Sequence, residues 1–145
     1  MKISTKSRYA LRMLLDLAQH QDEGFIALKD IAQRQNISKK YLEQIIPLLN
    51  RSDILQASRG NQGGYKLAKL PKEYTVGDIL RITEGSISMI ACLDMTPNTC
   101  ENVENCMTLD VWKGLNDVVK EYLDSINLQD ILDKHKDSNY IEFYI

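Results

Sequence analysis

The chain has 145 residues, 18 Lys plus Arg against 20 Asp plus Glu, a net charge of -2, and 43% hydrophobic residues. That is enough apolar material for one compact core and too balanced for a disordered polyelectrolyte, and no run approaches the roughly 18 apolar residues of a membrane span. The neutral total hides a split, because residues 1–70 carry 12 basic and 6 acidic side chains whereas 71–145 carry 6 and 14.

In chain order, the first predicted helix runs from about Ser4 to His20, with Tyr9, Ala10, Met13, Leu14, Leu17 and Ala18 at the spacing of one buried face. Gln21 to Gly24 ends it. A shorter helix follows from about Leu28 to Gln35, with Leu28, Ile31 and Ala32 inward. After an Asn36-Ile37 turn, Ser38 is placed to cap a third helix that buries Leu42, Ile45, Ile46 and Leu49. Pro47 lies too deep to be a first-turn residue, so a kink is expected there, or a helix ending near Ile46. Two short helices joined by a tight turn match a helix-turn-helix.

Two strands are expected next, Ile54 to Ser58 and Gly64 to Ala68, joined by the glycine-rich Arg59-Gly60-Asn61-Gln62-Gly63. A hairpin directly after a helix-turn-helix is the winged-helix order. A linker near Leu70-Pro71-Lys72 marks the change of charge sign. Thr75-Val76-Gly77-Asp78 has the form of a capping box opening a helix to about Glu84, which Gly85 closes. Residues 86–91 read as extended, and 92–106 as a polar loop holding all three cysteines. From Thr108 to Ile126, Trp112, Leu115, Val119, Tyr122 and Ile126 recur at spacings of 3, 4, 3 and 4, a coiled-coil-like seam suited to dimerisation, although a core helix has the same period. A helical turn near Leu128 to Leu132 and a terminal strand, Tyr140 to Ile145, complete the reading. The expected fold is mainly α with a small β-hairpin wing: a winged helix-turn-helix DNA-binding domain over 1–70, then a sensor and dimerisation region over 71–145 with a cysteine loop at 92–106 and a long helix at about 108–126.

Duplex DNA demands cations against phosphate and a few polar groups at base edges. The third helix offers Ser38, Lys39, Lys40, Tyr41, Glu43 and Gln44. Gln pairs with adenine, Glu accepts from cytosine, and the lysines suit phosphate. The wing adds Arg59, Gly60, Asn61, Gln62, Gly63 and Lys66, with Arg59 suited to a narrow minor groove. Lys2, Lys6 and Arg8 add cations at the N-terminus. The bland alternative is a solvated helix face.

Cys92, Cys100 and Cys106 have the spacing C-x7-C-x5-C. Thiolates are soft ligands that select iron–sulfur clusters, zinc or copper(I), and three in one polar loop are rarely there for packing. Separate free thiols are the competing reading. Zinc favours four ligands, and His20 and His135 are both remote in sequence. A zinc or thiol enzyme is the alternative of another class, but no Cys-x-x-Cys, His-Glu-x-x-His or nucleophile-elbow pattern supports it. The apolar run of a secretory signal is missing at residues 1–6 and the cysteines are odd in number, so a cytoplasmic location is expected.

Lys6-Ser7-Arg8-Tyr9-Ala10-Leu11, Ile37-Ser38 before Tyr41-Leu42-Glu43-Gln44, Ser58-Arg59-Gly60 before Gly63-Gly64-Tyr65, and Gly77-Asp78-Ile79 together resemble the Rrf-type winged-helix regulators of bacteria over nearly the whole chain. The resemblance implies a homodimer held by the long helix, recognition helices in successive major grooves of a palindromic operator, and wings in the minor groove. It also implies an iron–sulfur cluster on the three cysteines, [2Fe-2S] in preference to [4Fe-4S], and repression of cluster-biogenesis genes, as in the IscR-like branch. The cysteine spacing resembles the iron-responsive RirA-like branch, and Phe143-Tyr144-Ile145 resembles the tail of the CymR-like regulators of cysteine metabolism. Nitric oxide, iron and cysteine are therefore the alternative signals. In the IscR-like branch a histidine three residues after the last cysteine completes the site; here that position is Leu109. The acid that other members bring from the partner's first helix is replaced by Arg8. Asp110, Glu104, Glu101, Asp94, water or a small thiol are the candidates for a fourth ligand.

Overall fold

A computed structural model of the protein describes residues 2–144, with side-chain surroundings through residue 139. Six helices and one antiparallel hairpin follow in the order α1 (Thr5–Gln19), α2 (Leu28–Gln35), α3 (Lys39–Arg51), β1 (Leu55–Ser58), β2 (Gly64–Leu67), α4 (Val76–Glu84), α5 (Leu109–Asp124) and α6 (Leu128–Tyr144). The mainly helical class with a hairpin wing is therefore as the sequence predicts.

Local chemistry explains the starts. Ser4 caps α1 by accepting from Ser7 N–H, and Ser38 caps α3 by accepting from Tyr41 N–H. The capping box at α4 is reciprocal: Thr75 Oγ1 accepts from Asp78 N–H at 3.0 Å while Asp78 Oδ2 accepts from Thr75 N–H at 3.0 Å. One main cluster joins Met13, Leu14 and Leu17 of α1 to Ile31 of α2, Leu42, Ile45 and Leu49 of α3, and Leu128 of α6. Burying each such side chain contributes about 1.5–3 kcal/mol. A smaller cluster, Val76, Leu80 and Ile87, is packed by Ile3, Leu11, Leu123 and Ile126.

The hairpin pairs Leu55 with Leu67 through Ser58 with Gly64. A segment the sequence did not mark extends it, because Ile26 and Tyr65 exchange two backbone hydrogen bonds of 2.8 Å. Gly64 makes this approach possible, since a Cβ there would collide with the Ile26 carbonyl.

Three expectations need correction. Of the two alternatives at Pro47, the helix end near Ile46 is not found, since α3 continues to Arg51. Pro47 is exposed, so the orphaned Glu43 carbonyl lies on the solvent side, and buried Ile46 and Leu49 on either side outweigh the roughly 3 kcal/mol penalty. Residues 86–91 are not a strand. Ser88 N–H donates to Ser86 Oγ (3.1 Å), Ser88 Oγ donates to the Leu93 carbonyl (3.3 Å), and Ser86 Oγ donates to Asp94, so the serines fold the segment back on itself. Finally, the turn at 128–132 and the strand at 140–145 are replaced by one helix through Tyr144, with Ile145 outside the described residues. Asn127 and Asp130 cap α6 reciprocally, and Gln129–Asp133, Ser138–Lys134 and Asn139–His135 bonds run one turn apart along it. A six-residue apolar-rich segment is too short to distinguish a strand from the end of such a helix.

Candidate nucleic-acid interface and thiol loop

The exposed side of α3 carries Lys39, Lys40, Glu43 and Gln44, none hydrogen-bonded to the rest of the chain among the described residues. Ser38 is occupied as the helix cap. Tyr41 is half-buried, its ring edge-on to Tyr9 with centroids 5.3 Å apart. This leaves two cations, an acid and an amide able to meet an external partner.

The wing tip presents Arg59, Asn61 and Gln62 to solvent, with Gly60 in a left-handed turn at φ 103° and Gly63 close against the Ser58 carbonyl. Lys66 is different: its ammonium lies 4.7 Å over the Phe25 ring, a cation–π contact at the base of the wing. The three N-terminal cations have different surroundings. Lys2 is exposed, Lys6 lies near Glu84 at the end of α4, and Arg8 donates to Thr5 Oγ1 on the rim of an apolar groove between α1, α4 and α5.

That groove has a volume of about 450 Å³ and includes Leu11, Leu80, Val118 and Tyr122. Of the predicted dimerisation set, Trp112, Val119 and Ile126 are half-buried, whereas Leu115 and Tyr122 are 40% and 64% exposed, beside exposed Val111 and Val118. Within the chain, α5 buries only Asn116 among the described residues. An apolar helix face without cover is the pattern of a surface made for another surface.

The loop between α4 and α5 carries the thiols. Cys92 is half-buried in a turn at Ala91–Leu93, and Cys100 and Cys106 are exposed. The Thr108 hydroxyl, 3.6 Å from Cys106 Sγ, and the backbone N–H groups of Thr108 and Leu109 hold the Cys106 thiol below its ordinary range. Met89 N–H donates to Asn116 Oδ1 at 3.0 Å, which fastens the start of the loop to α5. The loop is shared but the thiols are not gathered: among the described residues, no three His, Cys, Asp or Glu side chains stand close enough to hold a metal ion. Asp94 is engaged by Ser86, Glu101, Glu104 and Asp110 are solvent-facing, and Leu109 is half-buried. The donor chemistry, three reduced thiols on one loop, fits a thiolate-held cluster. The spacing of the thiols in the structure is not that of a formed site.

Sequence reasoning missed Arg12, Asp16, Phe25, Arg34 and Gln35. Asp16 falls on the apolar side of α1, three residues after buried Met13, and a buried acid in such a position is the signal that could have exposed it.

Comparison with known proteins follows the same lines. The family model described as "Rrf2: Iron-dependent Transcriptional regulator" matches residues 3–134. The chain is 40% identical over 131 residues to the HTH-type transcriptional regulator CymR of Bacillus subtilis (strain 168), covering 90% of this chain and 89% of that protein. Its structure is similar to that of T. potens IscR, with TM-score 0.76 and 38% identity over 95% of this chain and 90% of that one. It is also similar to that of CymR, titled the global cysteine regulator of B. subtilis, with TM-score 0.77 and 39% identity over 92% and 98%. These relatives are transcriptional regulators, which sets aside the zinc or thiol enzyme. Among the described residues no helix is long and apolar enough to cross a membrane.

Proposed function

Because the chain belongs to the Rrf2 family of transcriptional regulators, whose members act on DNA, we propose that it is a homodimeric repressor that senses iron–sulfur cluster status and controls cluster-biogenesis genes. Residues 1–70 form the DNA-binding part and 71–145 the sensor and dimerisation part. The face of α3 reads base edges through Glu43 and Gln44, Lys39 and Lys40 take phosphate, and Arg59 enters the minor groove. The exposed face of α5 packs on its counterpart across a two-fold axis, so the operator is palindromic with half-sites about one helical turn apart.

The observation that carries the sensing role is the placement of three unpaired thiols on the single segment joining α4 to α5. Cys92, Cys100 and Cys106 would hold the cluster, [2Fe-2S] in preference to [4Fe-4S]. When bound, the cluster supplies an acid-labile, redox-active group whose presence reports iron and sulfide supply. The chain's own part is linkage. A ligand that favours one arrangement of the loop shifts the balance of dimer forms, through the Met89–Asn116 anchor and α5, by its differential affinity.

A second reading, control by a cysteine-metabolism signal, is favoured by the 40% identity to CymR and by thiols that stand apart. One comparison separates the two. An operator selected by the protein from random duplexes is titrated anaerobically, before and after iron is removed by a chelator. Cluster sensing predicts an affinity change of about tenfold or more. Equal affinities overturn it in favour of the second reading.

A further inference from the structure

Asp16 of α1 is only 1% exposed, and a buried carboxylate must be paired. Arg34 supplies a two-pronged pair, Nε to Oδ2 at 3.0 Å and Nη2 to Oδ1 at 2.6 Å, and Gln35 Nε2 donates to Oδ2 at 3.0 Å. Gln35 is also bound from the other side. Its Oε1 accepts from Arg12 Nε at 3.3 Å, and its backbone carbonyl accepts from Arg12 Nη2. The amide side chain and the carbonyl of Gln35 are thus both tied to α1. Gln35 is the last residue of α2, immediately before left-handed Asn36 (φ 52°) and the Ser38 cap of α3. The Arg12 guanidinium also lies 5.4 Å from the Tyr9 ring centroid, and Tyr9 meets Tyr41 in the first turn of α3.

We propose that Arg12, Asp16 and Gln35 form a polar lock that sets the angle at which α3 is presented, which makes them positioning residues for base recognition. The inference rests on α3 being the reading helix. Apolar packing between α1, α2 and α3 is non-directional and tolerates small rotations, whereas hydrogen bonds fix direction. A rotation at the end of α2 is carried through the turn to Glu43 and Gln44. Base-edge hydrogen bonds fail within a fraction of an ångström, but flexible lysines follow a phosphate. Loss of the lock therefore removes selectivity and leaves non-specific attraction.

Gln35→Ala tests this, because it deletes both side-chain bonds while the Arg34–Asp16 pair stays. Affinities are measured over a range of salt for a duplex selected by the wild-type protein and for an unrelated duplex, with circular dichroism confirming helix content. The expected result is about a tenfold loss on the selected duplex, with the unrelated duplex and the salt dependence unchanged. Arg12→Ala, an exposed substitution, is expected to behave alike. A salt slope that falls by about 0.9 for Arg12→Ala marks a direct phosphate contact and overturns the lock. So does a loss that is equal on both duplexes, or no loss at all, for Gln35→Ala. Gln44→Ala separates the two levels: if it leaves selectivity intact, α3 is not the reader and the lock falls with that reading. If it loses selectivity while Gln35→Ala keeps it, the lock alone is wrong.

Discussion

Arg81 and Asp124 meet through two parallel hydrogen bonds of 2.8 Å, tying the last turn of α4 to the last residue of α5. Gly77 belongs to the same contact, because a Cβ there would occupy the place of the Asp124 carboxylate.

Both charges are part-exposed, so Arg81→Ala should cost about 0.5–1 kcal/mol or less in denaturant unfolding. Gly77→Ala gains up to about 1 kcal/mol of helix propensity but displaces Asp124. It should therefore stabilise the Arg81→Ala protein more than the wild type. Equal effects in the two backgrounds would show that Gly77 and the pair are independent.

Glu84 should contribute to acid sensitivity. Burial opposes its charge, but hydrogen bonds from Ser7 Oγ and Ser4 N–H prevail and hold its carboxyl below the ordinary 4.5. A depressed carboxyl contributes its stability in full above its unfolded value and loses it as pH falls through the folded one. The stability difference between wild type and Glu84→Gln should thus be constant above pH 4.5 and shrink below it. Unfolding titrations across about pH 3–6 read this directly, and a difference that grows on acidification would reverse the assignment.

Arg59→Ala should weaken binding to a selected operator, since a narrow minor groove concentrates negative potential that attracts an inserted arginine. Sedimentation should find the same oligomer, because Arg59 sits at the wing tip and not on α5. Unchanged affinity would remove the wing from the interface.

Leu109 is the first residue of α5, three after Cys106. Leu109→His should slow the loss of cluster absorbance in air if a ligand is wanted at that position. Identical decay would place the fourth ligand elsewhere.

The reach of the sequence can be traced through these residues. The caps at Ser38 and Thr75, the bounds of α2 and the hairpin were legible because each is written within a few adjacent residues. The helix end expected near Ile46 was misplaced because the proline penalty is local whereas the burial that overrides it, of Ile46 and Leu49 in the main cluster, is long-range. The chemistry-bearing residues on α3, the wing and the thiol loop could be named in advance. Their surroundings could not: the Asp16–Arg34–Gln35–Arg12 network joins positions 18 to 23 residues apart, and Lys66 over Phe25 depends on the Ile26–Tyr65 bridge. Arg8 is legible in the sequence as a cation, but its place on the rim of the groove lined by α1, α4 and α5 is not.

The proposed sensing role requires that Cys92, Cys100 and Cys106 hold an iron–sulfur cluster. Protein purified without oxygen, measured by visible absorbance together with iron and acid-labile sulfide, tests it most directly. The expected result is a coloured protein with iron and sulfide in near-equal amounts, lost when any one of the three cysteines is replaced by serine. A colourless protein with intact thiols, or one loaded with zinc and free of sulfide, would contradict it.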